Sequence, residues 1–114
     1  MDYIDAFVAA VPTENKELYL EHAKTSVALF KEYGALRVVE CWGDDVPDGK
    51  ITSFPMAVKC EANETVVFSW VTWPDKKTRD AGMEGLMQDP RMDMEMPFDM
   101  TRIIFGGFQM ILNE

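Results

Sequence analysis

Apolar and polar positions alternate from Tyr3 to Val11, with Ile4, Ala6, Val8 and Ala10 on one face and Tyr3, Asp5, Phe7 and Ala9 on the other. That period of two predicts a strand. Pro12-Thr13 ends it, and the Thr13 hydroxyl is placed to cap a helix whose first turn carries Glu14 and Glu17, near the positive end of the helix dipole. From Glu14 to Tyr33 the period becomes helical. Leu18, Tyr19, His22, Ala23, Ser26, Leu29, Phe30 and Tyr33 fall in one arc, and Glu17, Glu21, Lys24, Lys31 and Glu32 in the opposite one. Gly34 then closes the helix in the left-handed region.

Ala35 to Trp42 reads as a second strand, followed by an exposed turn from Gly43 to Lys50. Phe54 to Lys59 and Thr65 to Trp73 read as a hairpin across Glu61–Glu64, the first arm being an insertion between the main strands. Pro74-Asp75 opens a second helix running to about Gln88. Gly82 and Gly85 each cost it up to ~1 kcal/mol relative to Ala, so each predicts a close packing approach. Arg91 to Thr101 is irregular and rich in Met and acid, and Arg102 to Leu112 is a last strand in which Gly106-Gly107 marks a bulge or a close backbone contact.

The resulting order, β-α-β-(β)-β-α-β, predicts an α+β fold of ferredoxin-like type, βαββαβ, with an antiparallel sheet and two helices on one face. The strands are apolar on both sides: Val66, Phe68 and Trp70 against Val67, Val71 and Trp73. Two helices shelter one face only, and the remaining patch exceeds what monomers usually expose. Pairing with a second copy through that face follows as an expectation.

The length of 114 residues gives room for one domain, 1–114, and 47% hydrophobic with 27% charged residues suits a packed globular chain. Twenty acidic against eleven basic residues, net −9, disfavour nucleic acid and anionic membrane surfaces as partners, since both attract cationic clusters. Cys41 and Cys60 are too few for a disulfide scaffold, and with His22 as the single histidine the chain offers no metal-ligand spacing. The acidic start, Met1-Asp2-Tyr3-Ile4-Asp5, is unlike a signal peptide and points to the cytoplasm.

Three segments carry a resemblance: Glu40–Lys50 with Thr52–Pro55; Ser69-Trp70 with Trp73-Pro74 and Arg79–Met83; and Asp89–Met92 with Met96–Asp99 and Gly106–Phe108. Together they resemble the YbaA-like family of uncharacterised bacterial proteins, placed among the dimeric α/β barrels. The resemblance spans the chain. It implies the ferredoxin-like fold and the homodimer, and it implies no reaction.

The candidate chemistry has competing structural readings. His22 titrates nearest neutrality and is a candidate catalytic base, or else a hydrogen-bonded core histidine. Asp5, if Ile4, Ala6, Val8 and Ala10 lie under the helices, points into the space enclosed by the dimer as a second candidate base, or else pairs with Arg37 or Arg102. For a small aromatic or anionic ligand, Arg37 and Arg102 would hold an anionic group, and Trp42 and Trp70 would stack on it beside Glu40. Interface packing is the alternative for the tryptophans. Asp44, Asp45 and Asp48 fit no calcium loop and read as a turn. No cofactor is expected. The competing function is a non-catalytic dimeric interaction module.

Overall fold

The computed structural model describes residues 1–114. Its elements are β1 (Tyr3–Pro12), α1 (Lys16–Glu32), β2 (Arg37–Trp42), α2 (Phe54–Ala57), β3 (Glu64–Trp73), α3 (Lys76–Gln88) and β4 (Ile104–Gln109), with short 3-10 turns at Thr13–Asn15, Pro90–Met92 and Met100–Arg102. The strands form one antiparallel sheet in the order β2-β3-β1-β4. The fold is α+β, compatible with the ferredoxin-like type, with three helices.

Leu29 of α1 and Leu86 of α3 meet Val71 and Trp73 of β3 in one buried cluster, so both long helices lie on the same face. Trp73 is fully buried, and the close approach at Gly82 accommodates it. A Cβ on Gly82 would sit 2.6 Å from the Trp73 ring and 2.7 Å from the Tyr33 carbonyl oxygen. Any larger residue would push α3 away from the sheet. Gly34, at φ 108°, ends the turn after α1 in the left-handed region, as expected. Asp75 caps α3 by accepting from the Thr78 amide at 2.7 Å.

Two local expectations fail, and a third, which left two alternatives open, is decided. Thr13 does not cap α1: the helix starts three residues later, and the Thr13 hydroxyl lies 2.7 Å from that of Thr65 on the neighbouring strand. A cross-strand partner has displaced the local one. Phe54–Lys59 is not a strand but contains α2, because Ser53 caps it through the Met56 amide at 3.1 Å and Pro55 can give no ladder hydrogen bond. At Gly106-Gly107 the β1–β4 register runs without interruption, so there is a close contact and no bulge: Tyr3 and Arg79 crowd the space where a Gly107 side chain would stand.

The register also decides the faces. Tyr3 pairs with Trp73, Asp5 with Val71 and Phe7 with Ser69. Because Val71 and Trp73 pack against the helices, Asp5 faces them too, and Ile4, Ala6, Val8 and Ala10 take the outer face. Part of that outer face is covered by the chain itself: Val58, just after α2, is fully buried with Val8, Ala10 and Val66. Phe68, Ile104 and Phe108 on the same side remain exposed.

Candidate functional site

Between the sheet and α1 lies a cavity of about 260 Å³, and 14 of the 19 residues that line it are hydrophobic. Its floor is sheet, through Phe7, Val38 and Val71; one wall is α1, through Ala23 and Phe30; and the methionine-rich segment before β4 closes it with Met92, Met96 and Met100. That segment is fastened at both ends. Arg91 donates to Asp89 at 2.7 Å and pairs with Glu32 at 2.9 Å. Arg102 makes a fork to Glu64, 2.7 Å at each oxygen, and adds bonds to Asp99 and the Lys59 carbonyl. Arg102 is the chief cause that holds the Glu64 carboxyl low, and Asp99 is lowered to about 2 by Thr101 first and by Arg102 as well.

The polar groups of the cavity are few and specific. Glu40 projects from β2 into the inner face, between Val38 and Trp42, opposite Ser69 of β3. The Tyr19 hydroxyl, on α1, donates to Glu40 Oε1 at 2.6 Å, and the Ser69 hydroxyl donates to the same oxygen. Burial pushes the Glu40 carboxyl above the usual range, against the opposing effect of its two donors, and drives the Tyr19 phenol far up. Ser26, two turns beyond Tyr19 on α1, lines the cavity with a buried hydroxyl that has no partner. His22 lies between them, and burial lowers its pKa.

Asp5 lines the other end, already committed. Arg79 of α3 grips it through Nε at 3.1 and 3.0 Å and Nη2 at 2.7 Å, and the Trp73 indole N–H donates at 2.9 Å. The ion-pair partner is Arg79 rather than Arg37 or Arg102, because Asp5 points toward the helices and not away from them.

Residues 2–100 match the family described as "Protein of unknown function (DUF1428)". The chain belongs to this family. It is 56% identical over 117 aligned positions to "Uncharacterized protein YbaA" of Escherichia coli K12, with 100% of both chains covered, and the same figures hold for that of Shigella flexneri.

In this DUF1428 chain the sequence-chosen residues divide into two groups. Asp5, His22 and Glu40 come together around the cavity. Arg37, Trp42, Trp70 and Arg102 do not line it. Arg37 is exposed at the start of β2. Trp42 faces inward past the cavity, 6.5 Å from the Tyr19 ring and beneath the Lys16 ammonium. Trp70 is on the outer face, 5.8 Å from Phe68. Arg102 is consumed by its carboxylates. Tyr19, Ser26 and Ser69 are further polar residues of this inner face, and the one signal of them in the sequence is that each interrupts an otherwise apolar inward stripe. No three or more His, Cys, Asp or Glu side chains converge in a way that would hold a metal ion, and no helix is long and apolar enough to cross a membrane.

Proposed function

We propose that this protein binds a small, largely apolar molecule, aromatic rather than anionic, in the cavity between the sheet and α1. The observation that carries the reading is the apolar space of about 260 Å³ with a buried, unpartnered Ser26 hydroxyl on its wall. An apolar cavity of about 150 Å³ takes up benzene, and drug-sized pockets start near ~300 Å³, so a ligand of one substituted ring fits the available room. An anionic group finds no free cation: Arg79 and Arg102 are both engaged with carboxylates.

The test is thermal unfolding of the purified protein with toluene, indole and p-xylene, compared with Ala23→Leu, which fills the cavity from the α1 wall. A ligand at a hundred times its Kd adds about 2.7 kcal/mol of stability. Toluene or p-xylene should raise the Tm of the parent and not that of a folded Ala23→Leu protein. Equal shifts in both, or none in either, would remove the reading.

The outer face supports a second reading, a homodimer. Phe68, Ile104 and Phe108 are exposed there beside Ile4, Ala6 and Trp70, and none carries charge. Two copies with a net charge of −9 each would meet where neither is charged. Sedimentation at micromolar concentration should give a dimer, and Ile104→Asp with Phe108→Asp should give a folded monomer. A monomeric parent would refute it. Cytoplasmic residence belongs to the same proposal, and it is checked by fractionating cells that express the protein.

A further inference from the structure

We propose that Glu40 is the group that recognises the ligand in this cavity, accepting a hydrogen bond from a hydroxyl on an otherwise apolar ring, so that the ligand class is a small phenol or alicyclic alcohol. This rests on the binding reading above and goes beyond it in naming the recognising atom and the chemistry it selects.

The argument begins with the two oxygens of one carboxyl. Both protein donors, Tyr19 and Ser69, converge on Oε1. Oε2 accepts no hydrogen bond from the protein. It is also not sealed: Ser26 Oγ is the one buried side-chain polar atom that lacks a partner. Glu40 lines the cavity, and Oε2 is the carboxyl oxygen that no protein donor occupies. A desolvated carboxylate satisfied on only one side is costly to maintain, because an unmet charged acceptor forfeits a charge-assisted hydrogen bond. A structural carboxylate would be paired with a cation, as Asp5 is with Arg79. Glu40 has no cation beside it: the titratable groups around it are Tyr19 and His22 from α1 and, at the opposite end, Asp5 already neutralised by Arg79 of α3.

The Tyr19 and Ser69 bonds fix the orientation of the carboxyl, so Oε2 is presented at a defined place. An ionised Oε2 selects donors. An apolar body and one hydroxyl are therefore what the walls ask for. Because Glu40 titrates above the usual carboxylate range, the selection reverses on acidification. Once Oε2 is protonated it donates, and ketones or ethers become the better ligands.

The experiment compares p-cresol with p-xylene, which differ by hydroxyl against methyl at nearly equal volume, by calorimetric or fluorescence titration of the whole protein. At pH 8, p-cresol should bind at least tenfold more tightly. In Glu40→Gln, Tyr19 and Ser69 can still donate to the amide oxygen, which turns the amide N–H₂ toward the ligand, so the p-cresol advantage should vanish and acetophenone should gain. Should Glu40→Gln not fold, the parent alone decides: its p-cresol advantage should fall as pH is lowered through the Glu40 titration, followed by the ¹³C shift of its carboxyl. Equal affinities for p-cresol and p-xylene, or a p-cresol advantage that survives Glu40→Gln or low pH, would overturn the role of Glu40 while leaving the apolar cavity reading intact. If neither compound binds, both fall.

Discussion

Asp5 and Glu40 are carboxylates at opposite ends of one cavity, and their surroundings could hardly differ more. Asp5 has a guanidinium across both oxygens and an indole N–H besides. Glu40 has two neutral hydroxyls on a single oxygen. A cation compensates the charge and closes the site, giving a structural group. Neutral donors hold a carboxyl in place without cancelling its charge, leaving it able to respond to pH and to a ligand. The difference between them separates architecture from chemistry on one sheet face.

The sharpest way to break this contrast is Arg79→Leu, which strands Asp5 among apolar neighbours. Removing one partner of a sealed ion pair costs 3–5 kcal/mol, and the side-chain exposure of 24% at Arg79 lowers that to about 2–3 kcal/mol. Urea denaturation measures it, and adding Asp5→Asn should recover part of the loss. A change below about 0.5 kcal/mol would mean that Asp5 is not held as described.

Next comes pH. Glu40 has its folded pKa above the unfolded one, so the folded state holds the extra proton, and stability falls as pH rises from the unfolded value through the folded one. Each unit of that elevation corresponds to about 1.4 kcal/mol. His22 behaves oppositely: burial lowers its pKa, so stability is lost as pH falls below about 6.5. Subtracting the parent stability curve from that of Glu40→Gln removes the histidine contribution. The difference should grow in favour of Glu40→Gln as pH rises from about 4.3. A flat difference would show that Glu40 titrates alike in the folded and unfolded chain.

Tyr19→Phe should cost about 1 kcal/mol through the lost hydrogen bond and move the Glu40 titration higher still, because the phenol donor favours the ionised form. Carboxyl ¹³C NMR reads the shift, and an unmoved or lowered titration would contradict it. The smallest effect belongs to Arg37→Ala. This exposed residue makes no ion pair within reach, so stability should stay within about 0.5 kcal/mol and p-xylene affinity should not change. A measurable loss of ligand would return Arg37 to the site.

Much of this was legible in the chain before folding, and the misses have physical causes. The polar residues that line the cavity are those that break an apolar stripe: Glu40 between Val38 and Trp42, Ser69 between Val67 and Val71, and Tyr19 and Ser26 on the apolar arc of α1. Periodicity marks them as inward but cannot say which of them meet. Arg37 and Arg102 looked equally suited to an anion, yet one is on the surface and the other is spent on Glu64 and Asp99. Whether a cation is free depends on carboxylates 38 and 3 positions away in sequence, a contest settled only by packing.

Local period and backbone freedom alone dictate the strands β1, β2 and β3, the two long helices and the need for small residues at Gly34 and Gly82. They do not determine which side of β1 lies under the helices. Ile4, Ala6, Val8 and Ala10 are as apolar as Tyr3, Phe7 and Ala9, and a period of two leaves such faces equivalent. The register against β3 decided it by placing Tyr3 opposite Trp73, whose indole needed the Asp5 carboxylate. The separate pairing of β2 with β3 set Glu40 opposite Ser69, whose hydroxyl donates to one oxygen of the carboxyl and leaves the other free.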